Sequence, residues 1–149
     1  MSNIAWEMEH SVETNASRTF VWKYMSDVEN WDDPPATFHL EGPFEKGSHG
    51  TTEIPGQATI QWRLRDVEPQ NSYTMEIALD GAVISCQWVF EELRSNRTEL
   101  TQRIILEGDK AMSYENDVRR TFDLTLAPGM SRIAAAVDQA YESDLIRSK

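Results

Sequence analysis

The chain has 149 residues, 40% of them hydrophobic, with five Trp, six Met and a formal net charge of −11 at pH 7. That length suits one domain with a sizeable core, burying roughly two-thirds of the surface its unfolded chain exposes. The negative potential repels nucleic acid and anionic headgroups, no apolar run approaches the ~18 residues of a membrane span, one cysteine excludes an internal disulfide, and three scattered histidines give no zinc ligand set.

From Ile4 to Val12 the residues alternate, with Ile4, Trp6, Met8, His10 and Val12 on one face and Ala5, Glu7, Glu9 and Ser11 on the other, which predicts a half-buried strand. The start, from Met1 to Glu7, has no basic leader followed by an apolar stretch, so the expected compartment is cytoplasmic. Asn15 is the expected N-cap of a helix beginning near Ala16, whose apolar stripe runs through Phe20, Val21, Tyr24, Met25 and Val28 to Trp31. Ser26-Asp27 can cap a new turn, and Pro34-Pro35 forbids helix beyond it, so two short helices are expected in succession. Trp22 lies about 60° beyond Met25 on the helical wheel. Edge burial is its first reading and a homodimer or partner surface its alternative.

The period then changes to two. Thr37 to Gly42 and Thr51 to Ile54 are short strand candidates. Longer alternating runs follow at Ala58 to Arg65, Tyr73 to Leu79, Ala82 to Phe90 and Leu100 to Leu106, and the short turns between them predict an antiparallel meander. Asp80-Gly81 is a two-residue hairpin signal, of the type in which both central residues take positive φ. Beyond Gly108, Tyr114, Val118, Phe122 and Leu126 recur every fourth residue as a helical approach. Pro128 fits the first turn of a final helix carrying Met130, Ile133, Ala134, Val137, Tyr141 and Leu145.

With that order of elements, the stretches WEMEHSVETNASRTFVWKYMSDVENWDD, FEKGSHGTTE, LRDVEPQNSYTMEI and RTELTQRIILEG resemble the START-like, birch-pollen-allergen-like (SRPBCC) superfamily and, within it, the polyketide cyclase/dehydrase and lipid-transport family. The resemblance spans almost the whole chain. Met25-Ser26-Asp27-Val28-Glu29-Asn30-Trp31, Lys46-Gly47 and Asp66-Val67-Glu68-Pro69 carry most of it, as fold markers rather than catalytic signatures. It implies an α+β helix-grip fold in a single domain over residues 1–149. A curved antiparallel sheet of about six to seven strands would wrap a long C-terminal helix, and two short helices after the first strand would close one end of a cavity.

Parity then selects the cavity walls: Trp6, Met8, Ile60, Trp62, Tyr73, Met75, Ile77, Ile84, Trp88, Phe90 and Ile104 on the sheet, with Ala134 and Val137 on the helix and Trp31 as core or lining at the closed end. The polar members of that phase are His10, Tyr73, Cys86, Gln102 and Asp66. His10 and Gln102 are expected to meet, since the resemblance makes the first and last strands neighbours. His10 and Tyr73 are the acid/base candidates for catalysis, and Cys86 lacks a positive neighbour that would make it a nucleophile. With no inward Lys or Arg, a neutral and largely hydrophobic small molecule is the expected partner, with no metal and no cofactor. Arg119 and Arg120 are placed near the mouth. A binding module, a cyclase or dehydrase using the same cavity, and a protein-interaction module remain the competing functions.

Overall fold

The computed structural model describes residues 4–31 and 34–147. The Met1-Ser2-Asn3 start and Asp32-Asp33, both quoted above, lie outside these residues. In chain order the elements are β1 (Ile4–Thr14), α1 (Arg18–Met25), a 3₁₀ turn (Val28–Asn30), β2 (Thr37–Leu40), β3 (His49–Glu53), β4 (Ile60–Glu68), β5 (Ser72–Leu79), β6 (Ala82–Arg94), β7 (Arg97–Glu107), a second 3₁₀ turn (Ala111–Ser113) and α2 (Glu115–Arg147). One antiparallel sheet runs β1-β7-β6-β5-β4-β3-β2, so the meander from β2 to β7 is completed by the first strand pairing with the last. With α2 packed along β1, this is the helix-grip fold.

Strand register turns the alternation of residues into rows across the concave face. One row reads Trp6, Leu106, Ile84 and Ile77; the next reads Met8, Ile104, Cys86, Met75 and Leu64; the third reads His10, Gln102, Trp88, Tyr73 and Val67. Leu64, Ile104 and Leu106 are fully buried, while Glu7, Glu9, Arg63 and Glu91 on the convex phase are exposed. The convex residues pair among themselves, as in Arg103–Glu7 at 2.6 Å and Arg97–Glu13 at 2.7 Å.

Register shifts break the expected parity at Ile4 and at Asp66. A register shift between Ile4 and Trp6 leaves Ile4 47% exposed, against the expected inward position. A second, between Leu64 and Asp66, inverts the phase of β4, so that Val67 packs on the core opposite Tyr73 while Asp66 turns outward and pairs with Arg65. The extra residue of a bulge is what reverses the faces.

The helices also differ from expectation in their ends. β1 continues to Thr14, and the N-cap of α1 is Ser17, whose hydroxyl accepts from the Phe20 N–H, rather than Asn15. Asp27 caps the 3₁₀ turn through the Glu29 N–H, as its position predicted. The approach and the final helix are one continuous α2, with Pro128 inside it. Proline removes the donor that the Leu124 carbonyl would use, and Leu124 is 72% exposed, so water is at hand for that carbonyl. At the Asp80-Gly81 hairpin only Gly81 has positive φ, 74°, the pattern of a type II rather than a type I′ turn.

Candidate functional site

The concave face carries a polar row flanked by apolar ones. His10 lies directly opposite Gln102 in the β1–β7 ladder, Gln102 opposite Trp88, and Trp88 opposite Tyr73. Four adjacent strands separated by about 4.8 Å put the two ends of this row roughly 14 Å apart. His10 and Gln102 are half-buried, whereas Trp88 and Tyr73 are buried. Among the described residues, the His10 imidazole, the Gln102 amide and the Tyr73 hydroxyl engage no other side chain or backbone group in a hydrogen bond. No buried side-chain nitrogen or oxygen there lacks a partner, so these three polar tips reach accessible space instead of being sealed in.

Burial, with the Cys86 sulfur beside it, holds the Tyr73 phenol well above its ordinary pKa of 10.0, and burial pushes the Cys86 thiol up to about 12. Both groups are therefore neutral near pH 7. Tyr73 is fit to donate a hydrogen bond but not to serve as a base, and Cys86 is no thiolate nucleophile. The remaining side chains of the three concave rows are apolar. Among the described residues no three His, Cys, Asp or Glu side chains converge to hold a metal ion. Among the described residues no helix is long and apolar enough to cross a membrane.

One end of the interior is filled by aromatic rings. Trp31 is central: its ring lies 5.5 Å from Phe38 and from Trp62, 6.2 Å from Tyr73 and 6.3 Å from Phe44, and its Nε1 donates to the Met25 carbonyl at 2.8 Å. The short α1 and the capped 3₁₀ turn after it deliver this ring onto the sheet. Trp22 also turns inward, edge-on to Phe44, Tyr73 and Phe90. That bears out partial burial of Trp22 at the helix edge. At the opposite end Trp6 stacks on Phe122 of α2, with centroids 6.1 Å apart.

Of the other residues expected to line the cavity, Met8, Met75, Ile77 and Ile84 are half-buried on the core, while Trp62, Cys86, Phe90, Ile104, Ala134 and Val137 are buried. Ile60 pairs with Thr52 and stands outside the core cluster. Arg119 is paired with Glu115, and both Arg119 and Arg120 are exposed. The alternation missed Val67 and Phe44. The three-residue step from Leu64 to Val67 was the available sign of the bulge, whereas Phe44 sits in a turn with no periodicity to betray it.

Two recesses stand out on the surface rather than beside the helix. One, of about 420 Å³, is lined by Ser26, Asp27, Val28, Glu29, Phe38, His39, Leu40, Gly42 and Phe44. The other, of about 390 Å³, lies at Glu7, Met8, Glu9 and Arg103. At the α1 end the Trp31 group of rings packs over Trp62 of β4 and Tyr73 of β5.

The family model described as "Polyketide cyclase / dehydrase and lipid transport" matches residues 5–142. The chain belongs to this family. Solved structures agree with the fold. Norcoclaurine synthase from Thalictrum flavum, in complex with dopamine and hydroxybenzaldehyde, is 12% identical, with a TM-score of 0.67 over 93% of this chain and 87% of that one. Zhui aromatase/cyclase from Streptomyces sp. R1128 is 16% identical, with a TM-score of 0.68 over 94% and 95%. A protein from Arthrobacter aurescens is 18% identical, with a TM-score of 0.68 over 91% and 87%. At such identities the likeness is one of fold. A comparison with curated proteins finds no match.

Proposed function

We propose that this protein binds a small, neutral, largely hydrophobic molecule of lipid, isoprenoid or aromatic polyketide type on its concave face. His10 and Gln102 engage the ligand's oxygen at one end, and Tyr73 donates to it at the other. The observation that supports this reading is a row of polar tips that have no hydrogen-bond partner among the described residues, separated by the Trp88 indole and bordered by apolar rows. Hydrogen-bonding groups held toward accessible space in an apolar wall fix orientation, while the wall supplies affinity. The rows contain no cation, so a buried carboxylate would go uncompensated, and neutral ligands are preferred over fatty-acid anions.

Native mass spectrometry of freshly purified protein, together with titration of the neutral fluorophore N-phenyl-1-naphthylamine, tests this. A co-purifying small molecule or saturable probe binding that weakens in a Trp88→Ala variant supports it. Absence of both, or a bound fatty-acid anion with its headgroup deep on the concave face, overturns it.

The pairing of His10 with Gln102 favours a second reading, a cyclase- or dehydrase-like enzyme using the same face. Folding an extended substrate against the rings would do much of the work, and His10 would move the proton with Tyr73 as neutral donor. Turnover of a candidate substrate that survives both His10→Ala and Tyr73→Phe would remove this reading and leave binding intact.

A further inference from the structure

One ring touches both the 420 Å³ groove and the Tyr73 end of the polar row. Phe44 lines the groove and also meets Tyr73 in a T-shaped contact, with centroids 5.0 Å apart and planes at 89°. The segment that carries Phe44 runs between Gly42 at φ 80° and Gly47 at φ 93°, and an added Cβ at either glycine would meet no atom within 4 Å. Glycine accepts that left-handed backbone without strain, and open space around both positions leaves the segment free to swing. The segment is tied to β4 by Gly47 N–H to the Leu64 carbonyl at 2.7 Å and Leu64 N–H to the Ser48 carbonyl at 2.9 Å, and its own turn is held by Glu45 N–H to the Pro43 carbonyl at 3.0 Å, Ser48 N–H to the Glu45 carbonyl at 3.1 Å and the Ser48 hydroxyl to the Pro43 carbonyl at 2.7 Å. Trp31, by contrast, is pinned through its indole N–H to Met25, and Phe38 belongs to β2. Phe44 is held by ring contacts with Trp22, Trp31 and Tyr73.

We infer that residues 42–47 form a lid with Phe44 as its plug, and that a flat neutral molecule reaches the Tyr73 end of the concave row through the groove beneath that ring. The inference rests on the ligand-binding reading for what passes, but the movement of the lid is a separate matter. Moving one ring joins groove to interior, and an incoming aromatic or aliphatic ligand replaces the edge contact that Phe44 makes with Tyr73.

Cys86 offers a readout that needs no ligand. It is the chain's single cysteine, 5% exposed, and lies beside Tyr73 on the concave face. The neutral reagent 4,4′-dithiodipyridine forms a mixed disulfide with it and releases one 4-thiopyridone, so labelling at fixed pH reports how often a path to the interior opens. If the lid is the path, Phe44→Ala speeds labelling roughly tenfold, and Ser48→Ala, which loosens a tether while leaving every ring in place, speeds it a few-fold. Trp6→Ala, at the Phe122 end, leaves the rate within about twofold of the parent. Urea unfolding of each variant separates lid opening from global unfolding, and if Phe44→Ala fails to fold, the Ser48→Ala rate decides alone. Unchanged labelling in Ser48→Ala and any folded Phe44→Ala, or acceleration in Trp6→Ala equal to theirs, overturns the lid. Failure of N-phenyl-1-naphthylamine to bind, with labelling as expected, would overturn the ligand reading and leave the lid standing.

Discussion

Asp138, in the C-terminal half of α2, accepts a hydrogen bond from the Asn15 N–H at 2.6 Å and another from the buried Thr14 hydroxyl, where β1 gives way to α1. The long helix is thus tied to the strand it packs along and to the segment that carries the short helices. Bonds to a carboxylate stabilise more than neutral ones. Asp138→Ala should cost about 2–3 kcal/mol and Asp138→Asn about 1 kcal/mol in urea unfolding. In a double-mutant cycle with Thr14→Val the two changes should be markedly non-additive; simple additivity would show that the contact contributes nothing.

Gly50 in β3 leaves room for the Trp62 indole. A Cβ at this position would lie 2.3 Å from two indole carbons and 2.7 Å from the His39 carbonyl oxygen. Trp62 is held in place by a 3.0 Å bond from its Nε1 to the buried Thr52 hydroxyl, so the ring cannot simply move aside. Gly50→Ala is expected to destabilise by about 2–3 kcal/mol through overpacking. Restoring most of that loss with Trp62→Leu in the same chain would confirm the cause.

The Trp31 ring should dominate the closed end. Trp31→Ala is expected to cost about 3–4 kcal/mol by leaving a gap among Phe38, Phe44, Trp62 and Tyr73. Trp31→Phe retains a ring but drops the bond to Met25, and should cost nearer 1 kcal/mol. Equal losses in thermal or urea unfolding would mean that the hydrogen bond, not the ring packing, holds this end together.

Alkali should weaken the fold through the interior. Cys86 has its pKa raised from 9.0 to about 12 by burial, so the folded protein keeps a proton that the unfolded chain releases. The stability this gives is complete below pH 9 and is lost as pH rises toward 12, a total on the order of 4 kcal/mol. Between pH 9 and 10 the urea midpoint of the parent should fall, while that of Cys86→Ala should stay flatter. Above pH 10 the buried Tyr73 phenol, raised in the same sense, adds its own loss in both proteins.

The sequence was most informative where alternation met a partner strand. The inward phase of β5 to β7, and the meeting of His10 with Gln102, followed from period-two patterning and the family resemblance, and the register bears them out. Asp27 as a cap was legible because capping is local chemistry between a side chain and the next amides. Ile4, Asp66 and the N-cap at Ser17 were misread because a bulge or a longer strand moves the phase by one, and the energy that decides it lies in the neighbouring strand.

Away from the bulges, pattern alone determined which strand side chains face inward, since a sheet with one buried face must sort apolar from charged residues along each strand. Only the tertiary structure decided what fills the space between sheet and helix. Whether Trp31, Trp22 and Phe44 occupy that volume depends on the reach of rings from segments far apart in the chain, and no periodicity records such distances. The same holds for Asp138, whose partners lie more than a hundred residues away. Its carboxylate looks like any solvated helix residue until the fold brings an N–H and a hydroxyl to it.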